Sequence, residues 1–82
     1  MSDKCLYVVA VELDNRKEQA LSVQEVLTKY GDCILTRQGV HDPGSDRGII
    51  TLNVNATDAY LEEFSEELSR IPGVNVRTIK FG

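Results

Sequence analysis

One histidine and two cysteines are all that this sequence offers in soft metal-ligating side chains, and its basic residues are outnumbered, 9 Lys and Arg against 13 Asp and Glu. The formal net charge of -4 leaves no cationic footprint for the phosphates of nucleic acid or for an anionic membrane surface. Two cysteines in 82 residues do not make the disulfide framework of a small secreted domain, and Cys5 and Cys33 read as free thiols. Long apolar runs are also missing. The stretch from Cys5 to Val11 is far short of the roughly 20 residues of a membrane span, and it runs into Glu12 with no small-residue cleavage site. The expectation is a cytoplasmic protein without a targeting segment, touching neither membrane nor nucleic acid directly.

What is present is a pattern of short elements spanning residues 1–82 as one small domain, with a thin core that buries about 60 to 65% of the unfolded surface. The segment "CLYVVAVEL" is apolar on both parities, as befits a central strand covered on both faces. Asn15 and Glu18 have capping-box spacing. Ala20, Val23, Val26, Leu27 and Tyr30 then recur at helical intervals, and Gly31 suits a helix stop. Residues 33–41 form a weaker strand. In "GIITLNVN", Ile50, Leu52 and Val54 alternate with Ile49, Thr51 and Asn53. Thr57 and Asp58 suit the start of a second helix, whose stripe is Leu61, Phe64, Leu68 and Ile71. Pro72 and Gly73 end it, and "VNVRTIKF" is a last strand with Val74 and Val76 inward.

This order, two βα halves joined by a hairpin, is that of an α+β ferredoxin-like βαββαβ sandwich. Right-handed crossovers give an antiparallel sheet of order 4-1-3-2 with both helices on one face. The other face is left open while carrying apolar residues of the first strand, Ile49 and Ile79. That is too much for a solvated sheet, and a homo-oligomer, dimer or tetramer, is expected to cover it. The alternative is a scatter of exposed apolar side chains, which is normal in monomers.

Several stretches coincide in order and spacing with one family. "ILTRQG" at 34–39, "GIITLNV" at 48–54, "ATD" at 56–58 and "IPGVNVR" at 71–77 together resemble the iron-only hydrogenase system regulators. These are small stand-alone proteins with an ACT-like fold that is also similar to the ligand-binding domain of the nickel-responsive repressor. The resemblance implies a regulatory or sensor module and an oligomer, and the expectation is that a small ligand or protein partner binds at the subunit interface. The alternatives are a metal-binding protein with an inter-subunit His41 site and a purely structural interaction module. This chain departs from the family at "VHDPG", where a Met-Pro-Tyr-like turn is usual, and at Glu66 and Glu67, which stand where the family carries a Gly-Lys pair.

Candidate chemistry is sparse. Cys5 and Cys33 begin parallel strands with another between them, roughly 10 Å apart at about 4.8 Å per strand, beyond disulfide reach or shared ligation. His41 lies roughly 26 Å from Cys33 at about 3.3 Å per residue. No metal or other cofactor site assembles within one protomer, though symmetry leaves open a His41 site between subunits. No Ser or Cys has a histidine partner for nucleophilic catalysis. "ELDNRKE" has no glycine and so lacks the phosphate nest of acylphosphatases, which share the fold. Glu62, Glu63, Glu66 and Glu67 read mainly as a solvated helix face. A non-enzyme is expected.

Arg37, beside Gly39, has two readings: a bidentate fork for a carboxylate or phosphate, or an edge-strand charge that discourages aggregation. The loop "GVHDPGSDRG" places Pro43 and Gly44 at the middle of a type II turn after Asp42. It is longer than a two-residue hairpin needs, which leaves room for a ligand or partner role. The candidate ligand or interface residues are therefore Arg37, Gly39, His41, Asp42, Gly48, Ile49 and Ile79.

Overall fold

The computed structural model describes residues 3–82. Strand β1 (Cys5–Leu13) is followed by helix α1 (Arg16–Lys29), a 3-10 turn (Gly31–Cys33), strands β2 (Ile34–His41) and β3 (Gly48–Ala56), helix α2 (Asp58–Ser69) and strand β4 (Val74–Lys80). All pairings are antiparallel and the sheet order is β2-β3-β1-β4. This is the expected ferredoxin-like order read from the opposite edge.

The register explains which parity is buried. Tyr7, Val9, Val11 and Leu13 of β1 face α1 and α2 together with Leu52, Val54 and Ala56 of β3 and Val74 of β4. Against them pack Val23, Leu27 and Tyr30 from α1 and Leu61, Phe64 and Leu68 from α2. Thr57 Oγ1 accepts a hydrogen bond from Tyr60 N at 3.2 Å, capping α2 as its sequence position suggests.

Helix α1 begins differently from the capping-box expectation. The Asn15 side chain makes no capping bond, and the residue reaching back to Asn15 N is Gln19, at 3.1 Å, not Glu18. Gln19 is buried. Its Nε2 also donates to Asp14 Oδ1 and to Pro72 O, the latter at 2.8 Å, so one amide ties the β1–α1 connection to the α2–β4 connection. Ala20, expected in the core stripe, is exposed because the stripe is centred on Gln19, Val23 and Leu27.

Gly31 does not provide a left-handed helix stop. The chain passes instead from Tyr30 into the 3-10 turn, and the left-handed glycine inside the fold is Gly73, φ +80°, after α2. The expected second strand starts one residue late, and Leu35 forms an irregularity between Ile34 and Thr36. Its exposure along nearly the whole length follows from position: β2 is an edge strand outside the reach of both helices.

Candidate functional site

The overhang of β2 leaves a groove of about 350 Å³ between its helix-side face and α1. Cross-strand pairing sets which side chains look into it. Arg37 pairs with Leu52, Gly39 with Ile50 and His41 with Gly48, so all three β2 residues share the helix-side face. Gly39, His41 and Gly48 line the groove; Arg37 lies on the same face one side-chain step further along and is not part of the lining. The opposite wall is the α1 stripe Arg16, Ala20 and Gln24, one helical turn apart each.

The loop from Asp42 to Arg47 holds this arrangement in place. Asp42 Oδ1 accepts from Gly44 N at 2.9 Å and Asp42 O from Ser45 N at 3.2 Å. Gly44 is not in the left-handed region, so the expected type II turn is in fact an Asx-stabilised turn of type I character, where the Asp42 carboxylate does the ordering. The Gly44 N–H and the Ser45 hydroxyl hold that carboxylate below its ordinary pKa. Asp46 then crosses to α1: its backbone O accepts from Arg16 N at 2.8 Å and its Oδ2 from Lys17 N at 3.1 Å. A residue 29 positions away thus supplies the cap that Asn15 does not. Arg47 pairs with Glu12, which also accepts from Asn75 Nδ2 at 3.1 Å, and the Arg47 bond keeps the Glu12 carboxyl low.

Gly48 is required here by close approach. A Cβ on it would stand 2.7 and 2.9 Å from Arg16 Cδ and Cγ, so the absent side chain lets the Arg16 stem lie against the sheet. Gly39 is the reverse case, with open space where its Cβ would be.

Ile49 also borders the groove, but its side chain and that of Ile79 belong to the other face of the sheet. Ile49 pairs with Glu12 and Val40, and Ile79 with Val8, which puts both on the sheet face away from the helices. Among the described residues no group of three or more His, Cys, Asp or Glu side chains is gathered for a metal ion. Cys5 and Cys33 are free thiols; burial, then the Asp32 charge, pushes the Cys33 thiol up.

Glu66 and Glu67 border a hollow of about 570 Å³ at the helix ends. Glu67 is not part of a plain solvated face: it accepts from the Tyr30 hydroxyl and pairs with Lys29 at 3.0 Å, while Glu66 lies 3.7 Å from Arg70. These carboxylates neutralise the cations that border the hollow.

Arg16, Gln19, Gln24 and Asp46 were missed by sequence reasoning. A signal for Asp46 existed in the topology: pairing the end of the first strand with the start of the third sets Leu13 opposite Gly48, which brings residue 46 beside the start of α1.

Among the described residues no helix is long and apolar enough to cross a membrane. Compared with solved structures, the chain is similar to the protein TM1266 from Thermotoga maritima at 25% identity, covering 98% of this chain and 100% of that one with a TM-score of 0.92. It also resembles the C-terminal domain of the MgtC protein from Mycobacterium tuberculosis, at 22% identity over 95% of this chain and 88% of that one, TM-score 0.75. A protein from Galdieria sulphuraria matches at 22% identity over 98% of this chain and 51% of that one, TM-score 0.72. The latter two likenesses speak to fold alone. No curated protein sequence matches. The TM1266-like family profile, which carries the provisional description of an iron-only hydrogenase system regulator, matches residues 5–78; with nearly the whole chain matched, this protein belongs to that family.

Proposed function

We propose that the protein is a non-enzymatic cytoplasmic regulator that works as a homo-oligomer joined through the open face of its sheet, with a small ligand or protein partner controlling it. The observation that carries this reading is the apolar surface on that face. Leu6, Ile49 and Ile79 are 50, 43 and 56% exposed there, beside Val40 at 60% and the half-buried Val8 and Ala10. Each large aliphatic side chain moved out of water is worth about 1.5–3 kcal/mol, and a second copy of the same face is the simplest cover.

The family description supports regulation. A non-catalytic role is supported by the α1–β2 groove, whose lining contains no Ser, Cys, Asp or Glu to act as nucleophile or general base beside His41. Two free thiols suit a reducing compartment. Light scattering at micromolar concentration tests the proposal. A mass at a multiple of the 9.1 kDa chain mass is expected, and a mass near 9.1 kDa overturns it.

A further inference from the structure

We propose that the α1–β2 groove binds a small aliphatic carboxylate, held by Arg16 at its charged end and by the apolar floor along its carbon skeleton. The groove lies on the helix side of the sheet and within one protomer, so this assignment does not rest on self-association through the opposite face.

Charge is the first argument. In a chain of net charge -4, no carboxylate lines this groove, whereas Arg16 does. The ion pairs among the described residues engage Lys29, Arg47, Arg70 and Lys80 and leave the Arg16 guanidinium without a carboxylate. Arg16 is half-buried, and its stem is seated over Gly48 by the close approach described above. A seated arginine that lacks an internal anion offers a planar fork to an external one.

Shape and polarity select the rest of the ligand. Leu13 and Ile50 make an apolar floor, Ala20 adds an apolar step to the α1 wall, and Gly39 leaves the space above its own backbone open. Gln24 and His41 add hydrogen-bonding groups at the sides. A volume of about 350 Å³ is at the small end of ligand sites. One guanidinium over an apolar floor matches one carboxylate on a short hydrocarbon, whereas a phosphate dianion calls for more cationic donors.

The test is a titration of the full chain, labelled with 15N, with sodium isovalerate up to about 10 mM, followed by amide and arginine side-chain resonances, with isovaleramide as the neutral isostere. The expected result is saturable movement of the Arg16 Nε–H and of the Gly39, His41 and Gly48 amides. The uncharged isostere is expected to bind about tenfold or more weakly, the scale of one charge-assisted hydrogen bond. Arg16→Met keeps the stem over Gly48 and removes the charge. Gly39→Val sets its Cβ in open space and extends the side chain into the groove. Both variants should keep the wild-type melting temperature within a few degrees and lose the response. Absence of saturable movement, equal binding of the isostere, or a response that survives both substitutions overturns the assignment. So does movement of the same resonances on dilution alone, which would put a second copy of the chain in the groove.

Discussion

Asp46 Oδ2 accepts a hydrogen bond from the backbone N–H of Lys17 at 3.1 Å, while Asp46 O accepts from Arg16 N at 2.8 Å. The connection between β2 and β3 is thereby part of the start of α1, and the wall and the rim of the groove are fixed to each other. Removing the side-chain half of this cap leaves an N–H of the first helical turn without its partner. Asp46→Ala should therefore lower the unfolding free energy by about 1 kcal/mol, within the usual range for lost helix caps. For a domain of this size that is roughly 4–8 °C in Tm. Asp46→Asn keeps an acceptor oxygen and should recover most of the loss. Urea denaturation of the three proteins checks both statements.

Two glycines are expected to respond oppositely to the same substitution. Gly73 has φ +80°, and a Cβ there would collide with Gln19 Nε2 and the Asp14 carboxylate. Gly73→Ala thus combines backbone strain with disruption of the Gln19 hydrogen bonds and should cost about 2 kcal/mol or more. Gly39 lies in a strand with free space around it, so Gly39→Ala should stabilise the fold by about 0.5 kcal/mol by limiting the unfolded chain. Equal effects in denaturant unfolding would contradict the conformations described for these two positions.

The strand order, both helices and the parity of the sheet could be read from the chain because local pattern and tertiary burial agree there. Both parities of β1 are apolar, and Leu52 and Val54 alternate with polar neighbours. The errors fall where a distant group takes over a local role. Asn15 and Glu18 have the spacing of a capping box, but Gln19 and Asp46 occupy the donors first. Gly44 follows a proline as in a type II turn, yet the Asp42 side chain satisfies the turn by another route. Arg16 carries no signal of its own in the sequence. Its role in the groove arises from Gly48, which pairing with Leu13 brings against it.

The hydrogen bond from Tyr30 to Glu67 joins the end of α1 to α2 and should be visible in the pH dependence of stability. Donation to the Glu67 carboxylate, together with burial, pushes the Tyr30 hydroxyl up to about 12 from an ordinary value of 10.0. A raised pKa in the folded state means that the contribution is complete below pH 10 and is lost as the pH rises from 10 towards 12. The same bond, then Lys29, holds Glu67 below its ordinary 4.5. That contribution is present above pH 4.5 and fades as the pH falls through the lowered value. Denaturant unfolding across pH should show both flanks, and Tyr30→Phe should flatten each of them relative to wild type. An unchanged alkaline flank in Tyr30→Phe would mean that other groups account for it.

The open face supplies the last prediction. Ile79 of β4 pairs with Val8 of β1, and the adjoining pairs on this face are Ala10 with Arg77 and Glu12 with Asn75. Ile79 thus adjoins Leu6 and Val8 at one end of this face, while Ile49 and Val40 form a second apolar group at the Glu12 end. In a symmetric dimer each protomer contributes the same patch, so a lysine at position 79 enters the interface twice and must be desolvated without a partner. In the isolated protomer Ile79 is 56% exposed and outside the core, so the substitution removes little folding energy there. Ile79→Lys should shift the light-scattering mass towards 9.1 kDa at micromolar concentration, while the unfolding midpoint of dilute protein stays within a few degrees of wild type. Ile49→Lys, on the same face, should weaken association as well, because the neighbouring Glu12 carboxylate is already engaged by Arg47 and Asn75. Association that persists undiminished in Ile79→Lys would exclude this end of the sheet as the contact.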